Sequence, residues 1–273
     1  MVEFGQIYAF SGNPRGARVS DYSINILASS ISAKHWFSQA QVIAALGGLD
    51  VPFTPGFIPL HTNRTEEFKQ KFPMGKIPTF EVFAKDAEGN PIKDKDGNNV
   101  VEFSLVEGLA LATYLATKGN KASQLLGTTD EASAKIMEWV SFAETELTIP
   151  SSHHITMTAR QLQRYNEKLY QKKCKAVAQA LYRLELELKK GNQFLVGEKI
   201  TIADVFVGSW LHFGVAMLVD AEWRKQIPHC MRYLQGISEI TEFKKTFGDV
   251  TMVQERPVVP PPDQPLLDPS ANE

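Results

Sequence analysis

The stretch Phe72-Pro73-Met74-Gly75-Lys76-Ile77-Pro78-Thr79-Phe80-Glu81 decides the fold of this chain. Turn-forming and charged residues give way at once to an apolar residue–proline step and then to a β-prone run. Proline has no amide hydrogen for a strand ladder, so a proline at the mouth of a strand marks a special turn. A cis Ile77–Pro78 bond is one solution, turning the chain tightly and leaving the backbone of Ile77 facing outward. An ordinary turn before a strand is the other.

Outward from that stretch, the first half of the chain is mixed. Gln6 to Phe10 reads as a short buried strand, and Val51 to Leu60 as a second strand with its exit loop. Thr79 to Phe83 is the third strand. Lys85 to Asn99, rich in Asp, Lys, Gly and Asn, is a hairpin loop, and Val100 to Phe103 resumes a strand. From Glu107 to Ala116 the apolar residues Leu109, Leu111, Ala112 and Leu115 take helical spacing. The second half is almost all helical: Asp130–Leu147, Tyr165–Lys190 and Ile202–Val219 each carry an apolar stripe of period 3.6. The change of period sets a boundary near 118–127. The expected domains are 1–118 and 128–253, followed by a proline-rich tail over 254–273 with Pro257, Pro260, Pro261, Pro262, Pro265 and Pro269.

Composition narrows the function classes. Hydrophobic residues are 43% of the 273 and charged residues 22%, values of an ordinary globular protein, and the net charge of -2 gives no basic surface for nucleic acid. No apolar run is long enough to span a bilayer, and the N-terminus lacks a signal-peptide pattern, so a cytoplasmic protein without membrane contact is expected. The two cysteines, Cys174 and Cys230, are far apart and form neither a CxxC pair nor a zinc pattern. His153-His154 is the one tempting metal pair. Neighbouring histidines point in different directions and no third ligand has suitable spacing, so a surface position is expected and no metal.

Three further segments carry chemistry. Glu107-Gly108 opens a helix whose first amides lack intrahelical partners, a ready anion site; Glu107 also suits the helix dipole with no ligand at all. Ser11-Gly12-Asn13-Pro14-Arg15 follows the first strand, with the Ser11 hydroxyl and the Asn13 amide as donors, and equally suits a turn that starts a helix. Thr201-Ile202-Ala203-Asp204 fits a capping box and is structural.

Taken together, Lys71 to Pro78, Leu125-Leu126-Gly127, Glu138-Trp139, Thr201-Ile202-Ala203-Asp204 and Glu222-Trp223-Arg224 with Ile227-Pro228 resemble the glutathione transferase superfamily over roughly residues 4 to 250. Within it the chain is most similar to the transferase-like N-terminal region of the γ subunit of translation elongation factor 1B, and to fungal theta-like transferases. The resemblance implies a thioredoxin-like α/β domain followed by an all-helical domain. It implies glutathione as ligand: Ile77 at the Ile77–Pro78 turn pairs with its peptide backbone, Lys76 meets the glycyl carboxylate or the peptide backbone where it is not simply a solvated lysine, and Glu107 with Gly108 takes the γ-glutamyl end. Ser11 or Asn13 would hydrogen-bond the sulfur and favour the thiolate, since a thiol of pKa near 8.5 is little ionised at neutral pH. Family members usually have serine where Gly108 stands, so a hydroxyl contact is missing. A homodimer, or docking to elongation-factor subunits as a non-catalytic scaffold, is the implied assembly. The γ subunit's Lys-rich linker and second domain are not in this sequence.

Residues 19–41 depart from the family pattern, which runs from first strand to first helix without a long insert. Without them, Arg18 joins Val42 in a single amphipathic helix. Val19-Ser20 and Gln41 can be encoded by the usual borders of an intron, so a retained intron is one expectation. A real insertion with a replacement helix over 35–46 is the other, and transcript sequencing across codons 18 to 42 separates the two.

Overall fold

The computed structural model describes residues 6–8, 38–58, 61–158 and 164–256. Ser11, Asn13, residues 19–37 and the tail beyond Arg256 lie outside the described residues. The chain divides into two compact units, with the division between Ala122 and Ser123.

The first unit is a small α/β layer. Its strands are β1 (Gln6–Tyr8), β2 (Thr79–Phe83) and β3 (Val101–Val106), in the order β1-β2-β3 with both pairings antiparallel. Residues 38–46 form helix α1, which continues through Gln41–Val42. The segment after it pairs parallel to β1: the Ile7 amide donates to Pro52 O at 3.1 Å and the Thr54 amide to Ile7 O at 3.0 Å. Among the described residues the pairing is one bridge, Ile7 with Phe53, and Pro52 has no amide hydrogen to extend it. A short helix α2 (Glu66–Lys71) precedes β2, and α3 (Gly108–Lys118) follows β3. The helix carries Leu111, Ala112, Leu115 and Ala116 inward, and its Tyr114 ring meets Phe80 of β2 at 6.2 Å and Phe103 of β3 at 4.9 Å. Burying each of Phe80, Leu111 and Leu115 stabilises the unit by about 1.5–3 kcal/mol.

The polar loop between β2 and β3 is more ordered than its composition suggests. Lys85-Asp86-Ala87-Glu88-Gly89-Asn90-Pro91-Ile92 and Lys93-Asp94-Lys95-Asp96-Gly97-Asn98-Asn99-Val100 are two copies of one eight-residue turn. In each, the first Asp accepts the amides two and four residues on, at 2.8–3.1 Å, and glycine takes positive φ. Ala84, Ile92 and Val100, eight residues apart, close a ring of three backbone bonds: Ala84 N to Val100 O, Val100 N to Ile92 O, and Ile92 N to Ala84 O.

From α4 (Ala122–Leu126) onward the chain is helical: α5 (Asp130–Phe142), α6 (Ile149–Met157), α7 (Glu167–Leu188), α8 (Ile202–Met217), α9 (Ala221–Lys225), α10 (Pro228–Ser238) and α11 (Thr241–Phe247). Thr129 caps α5 by accepting the Ala132 amide at 3.2 Å, and Asn166 caps α7 through the Leu169 amide at 2.9 Å. The stripe expected to run to Leu147 is interrupted: α5 passes through a π-helical turn, Ala143–Thr148, before α6 continues. Helix α8 lies at the centre, with every residue from Ile202 to Leu211 buried.

The surface position expected for His153-His154 is wrong for the second residue. His154 is fully buried, its ring 4.8 Å from that of Tyr170 and its Nδ1 3.5 Å from Thr158 Oγ1. Helix α6 is covered on most of its circumference, a property that adjacent polar residues do not signal. Burial, with the Arg256 charge second, holds His154 down to about 4, against 6.5 for a free imidazole. As pH falls, the unfolded chain takes the proton first. The contribution is present in full above about pH 7 and is lost between about 6.5 and 4, up to about 3 kcal/mol. A His154→Leu variant should flatten this acid limb in urea titrations run at a series of pH values.

Candidate functional site

Strand register assembles the site. Tyr8 pairs with Thr79, and Thr79 pairs with Val106. The end of β1, the start of β2 and the end of β3 therefore meet at one edge of the sheet. One residue outward from that row stand Pro78 and Glu107, flanked by Ile77 and Gly108. Sequence positions some thirty apart become neighbours because the strands alternate in direction.

The Ile77–Pro78 bond is cis, the first of the two alternatives open to the sequence. Pro78 is buried, Ile77 half-buried and Lys76 exposed. Below the turn, Lys71 Nζ lies 3.4 Å from the buried Glu81 carboxylate. Gly75 before it has φ +57, and a Cβ there would sit 2.8 Å from Asn63 O. The Asn63 side chain, itself buried, donates from Nδ2 to Gly75 O at 2.7 Å. Asn63 and Gly75 were not singled out from sequence; the glycine in Met74-Gly75-Lys76 was the available signal.

Glu107 has φ 72 and ψ 121, and among the described residues no other non-glycine has positive φ. A side chain in that conformation costs on the order of 1–3 kcal/mol, and such residues cluster at functional sites. Glu107 O accepts the Leu111 amide at 3.0 Å, so α3 starts at Gly108, yet the Glu107 carboxylate makes no capping bond to the first turn. The first-turn amides have no intrahelical partner and no acidic side chain competes for them. An exposed carboxylate beside a helix N-terminus suits a ligand carrying both an ammonium and a carboxylate group. Ser11 and Asn13, in the chain leaving β1, fall outside the described residues. Among the described residues, no three His, Cys, Asp or Glu side chains group to hold a metal, and no helix is long and apolar enough to cross a membrane. Cys174 and Cys230 are free and buried.

A family profile described as the glutathione S-transferase C-terminal domain matches residues 110–240. The glutathione S-transferase-like protein LUC7 of a Fusarium species is 30% identical over 253 residues, 93% of this chain and 97% of that protein. The chain belongs to the glutathione S-transferase family. Elongation factor 1-gamma of Equus caballus is 29% identical over 224 residues; the match takes 82% of this chain and 44% of that protein. A glutathione S-transferase from Methylobacillus flagellatus, solved with glutathione bound, has TM-score 0.60 at 20% identity and covers 78% of this chain and 94% of its own. The thioredoxin-like α/β layer followed by an all-helical domain is the fold of this glutathione S-transferase-like chain.

Proposed function

We propose that the first unit binds glutathione and that the chain conjugates it to an electrophile. The observation that carries this is Glu107, held at positive φ beside the open N-terminus of α3 and next to Ile77–Pro78. In this assignment the Glu107 carboxylate takes the γ-glutamyl ammonium, and the Gly108 amide with the α3 first turn takes the neighbouring carboxylate. The outward backbone of Ile77 pairs with the cysteinyl residue, Pro78 fixes that turn, and Lys76 faces the glycyl carboxylate. Ser11 or Asn13 donates to the sulfur. The thiolate then attacks the electrophilic carbon, forming a carbon–sulfur bond as the leaving group departs with its electron pair. A homodimer in the cytoplasm belongs to the same proposal.

Titration calorimetry with glutathione tests binding without a second substrate, and a halodinitrobenzene conjugation assay tests turnover. Retained binding with turnover abolished in Ser11→Ala supports the enzyme and that residue's role; absence of binding removes the proposal. Gly108 favours a second reading, a non-catalytic scaffold able to dock elongation-factor subunits, because it supplies an amide without a hydroxyl. A Gly108→Ser substitution should add one hydrogen bond, tightening glutathione about threefold to tenfold by calorimetry. A scaffold would show no glutathione binding in either protein and would co-purify with elongation-factor subunits.

A further inference from the structure

We propose that Asn63 is a positioning residue that sets the backbone of Gly75–Ile77 for the ligand. This rests on the glutathione assignment for the identity of that ligand, and on geometry for the rest. Asn63 sits in a single 3-10 turn, Thr62–Arg64, and is 6% exposed. Its Nδ2 reaches twelve residues along the chain to Gly75 O at 2.7 Å, while the Gly75 amide donates to Phe72 O at 2.8 Å. Both peptide groups of Gly75 are therefore held. The residue itself has φ +57, with Asn63 O 2.8 Å from where a Cβ would stand. Because the Gly75 carbonyl belongs to the Gly75–Lys76 peptide plane, fixing it leaves only the Lys76 dihedrals between Asn63 and the Lys76–Ile77 peptide.

The support under Asn63 is hydrogen-bonded and packed in its own right. Thr65 Oγ1 accepts the Phe68 amide at 3.2 Å and donates to Thr62 O at 2.9 Å, and the Ile58 amide donates to Thr62 Oγ1 at 2.9 Å. Phe68 and Phe72 are buried with ring centroids 5.1 Å apart, and Phe57 stands 5.9 Å from Phe68. A buried side-chain donor on such a base transmits its position to the loop with little slack, which is what a preorganised binding backbone requires. Its Nδ2 bonds Gly75 O, so it acts on the ligand-facing groups through Gly75.

Three substitutions separate positioning from bulk stability. Asn63→Ala removes the donor. Asn63→Asp keeps the shape and sets an acceptor against the Gly75 carbonyl. Asn63→His restores a ring N–H at the place of Nδ2. Glutathione affinity by calorimetry should fall about tenfold in Asn63→Ala, at least as far in Asn63→Asp, and recover to within about threefold in Asn63→His. In parallel, tryptic cleavage after the exposed Lys76, followed by mass spectrometry without any ligand, should speed up in the first two variants and return in the third. A merely structural role would lower the melting temperature of all three without this order in affinity or cleavage. If Asn63→Ala does not fold, the isosteric Asn63→Asp carries the comparison. Unchanged cleavage and affinity in Asn63→Asp, or equal loss in Asn63→His, overturns the proposal. If the unmodified protein itself binds no glutathione, the functional assignment fails while the cleavage order still decides the role of Asn63.

Discussion

Asp204→Ala is expected to lower the stability of the helical unit by about 3–5 kcal/mol, measured by urea unfolding at neutral pH. Asp204 is fully buried at the start of α8. Its carboxylate accepts the Leu195 amide at 2.8 Å, the Thr201 amide at 2.9 Å, Thr201 Oγ1 at 3.0 Å and the Tyr233 hydroxyl at 2.8 Å. Alanine would leave four donors in the interior without an acceptor, each at a cost larger than the net worth of the bond it made. The carboxylate also joins α8, the loop before it and α10, so its loss loosens the element on which the other helices pack. Asp204→Asn keeps the shape but turns an NH2 group toward one of the donors, and an intermediate loss of about 2 kcal/mol is expected. A change under 1 kcal/mol in the alanine variant would place the anchor of the unit elsewhere.

That anchor was legible in sequence because a capping box is local: the four positions Thr201 to Asp204 contain both halves of the interaction. Strand β2 was legible for a similar reason, since Pro78 sets its first residue and Thr79, Phe80 and Val82 continue it. The limits of β3 were less clear. Its register depends on β2, and strand pairing carries it to Val106, three residues beyond Phe103. The π-helical turn was not readable, because Ile136, Val140, Ala143 and Leu147 fit a straight 3.6-residue stripe equally well. His154 misled for a physical reason: polarity argues for the surface, and only tertiary packing against Tyr170 says otherwise. The loop over 85–99 reads as a hairpin loop by composition, and its eight-residue repeat emerges only when residues 85–92 are set against 93–100.

For the candidate site, the sequence shows residue types and not their placement. Glu107-Gly108 and Ile77-Pro78 stand out as residue types, but only the register of three strands makes them neighbours. The conformation of Glu107 left no trace in the sequence, because a glutamate at positive φ looks like any other glutamate.

That conformation makes the last test decisive. Glu107→Gly should stabilise the fold and damage binding at once. Glycine adopts φ 72 without the steric cost borne by glutamate, so unfolding free energy should rise by about 1 kcal/mol. If the carboxylate holds the ligand's ammonium, removing a charged hydrogen bond should weaken glutathione by about 1.5–3 kcal/mol, roughly tenfold to a hundredfold in Kd. If Glu107 served only the α3 dipole, the same change would forfeit up to about 1 kcal/mol of dipole interaction, offset that gain, and leave binding untouched. Melting temperature and calorimetric affinity, taken on one preparation, therefore move in opposed directions under the first account and not under the second. Glu107→Gln separates charge from conformation: the side chain keeps positive φ, so stability should stay near that of the parent while affinity falls with the lost charge.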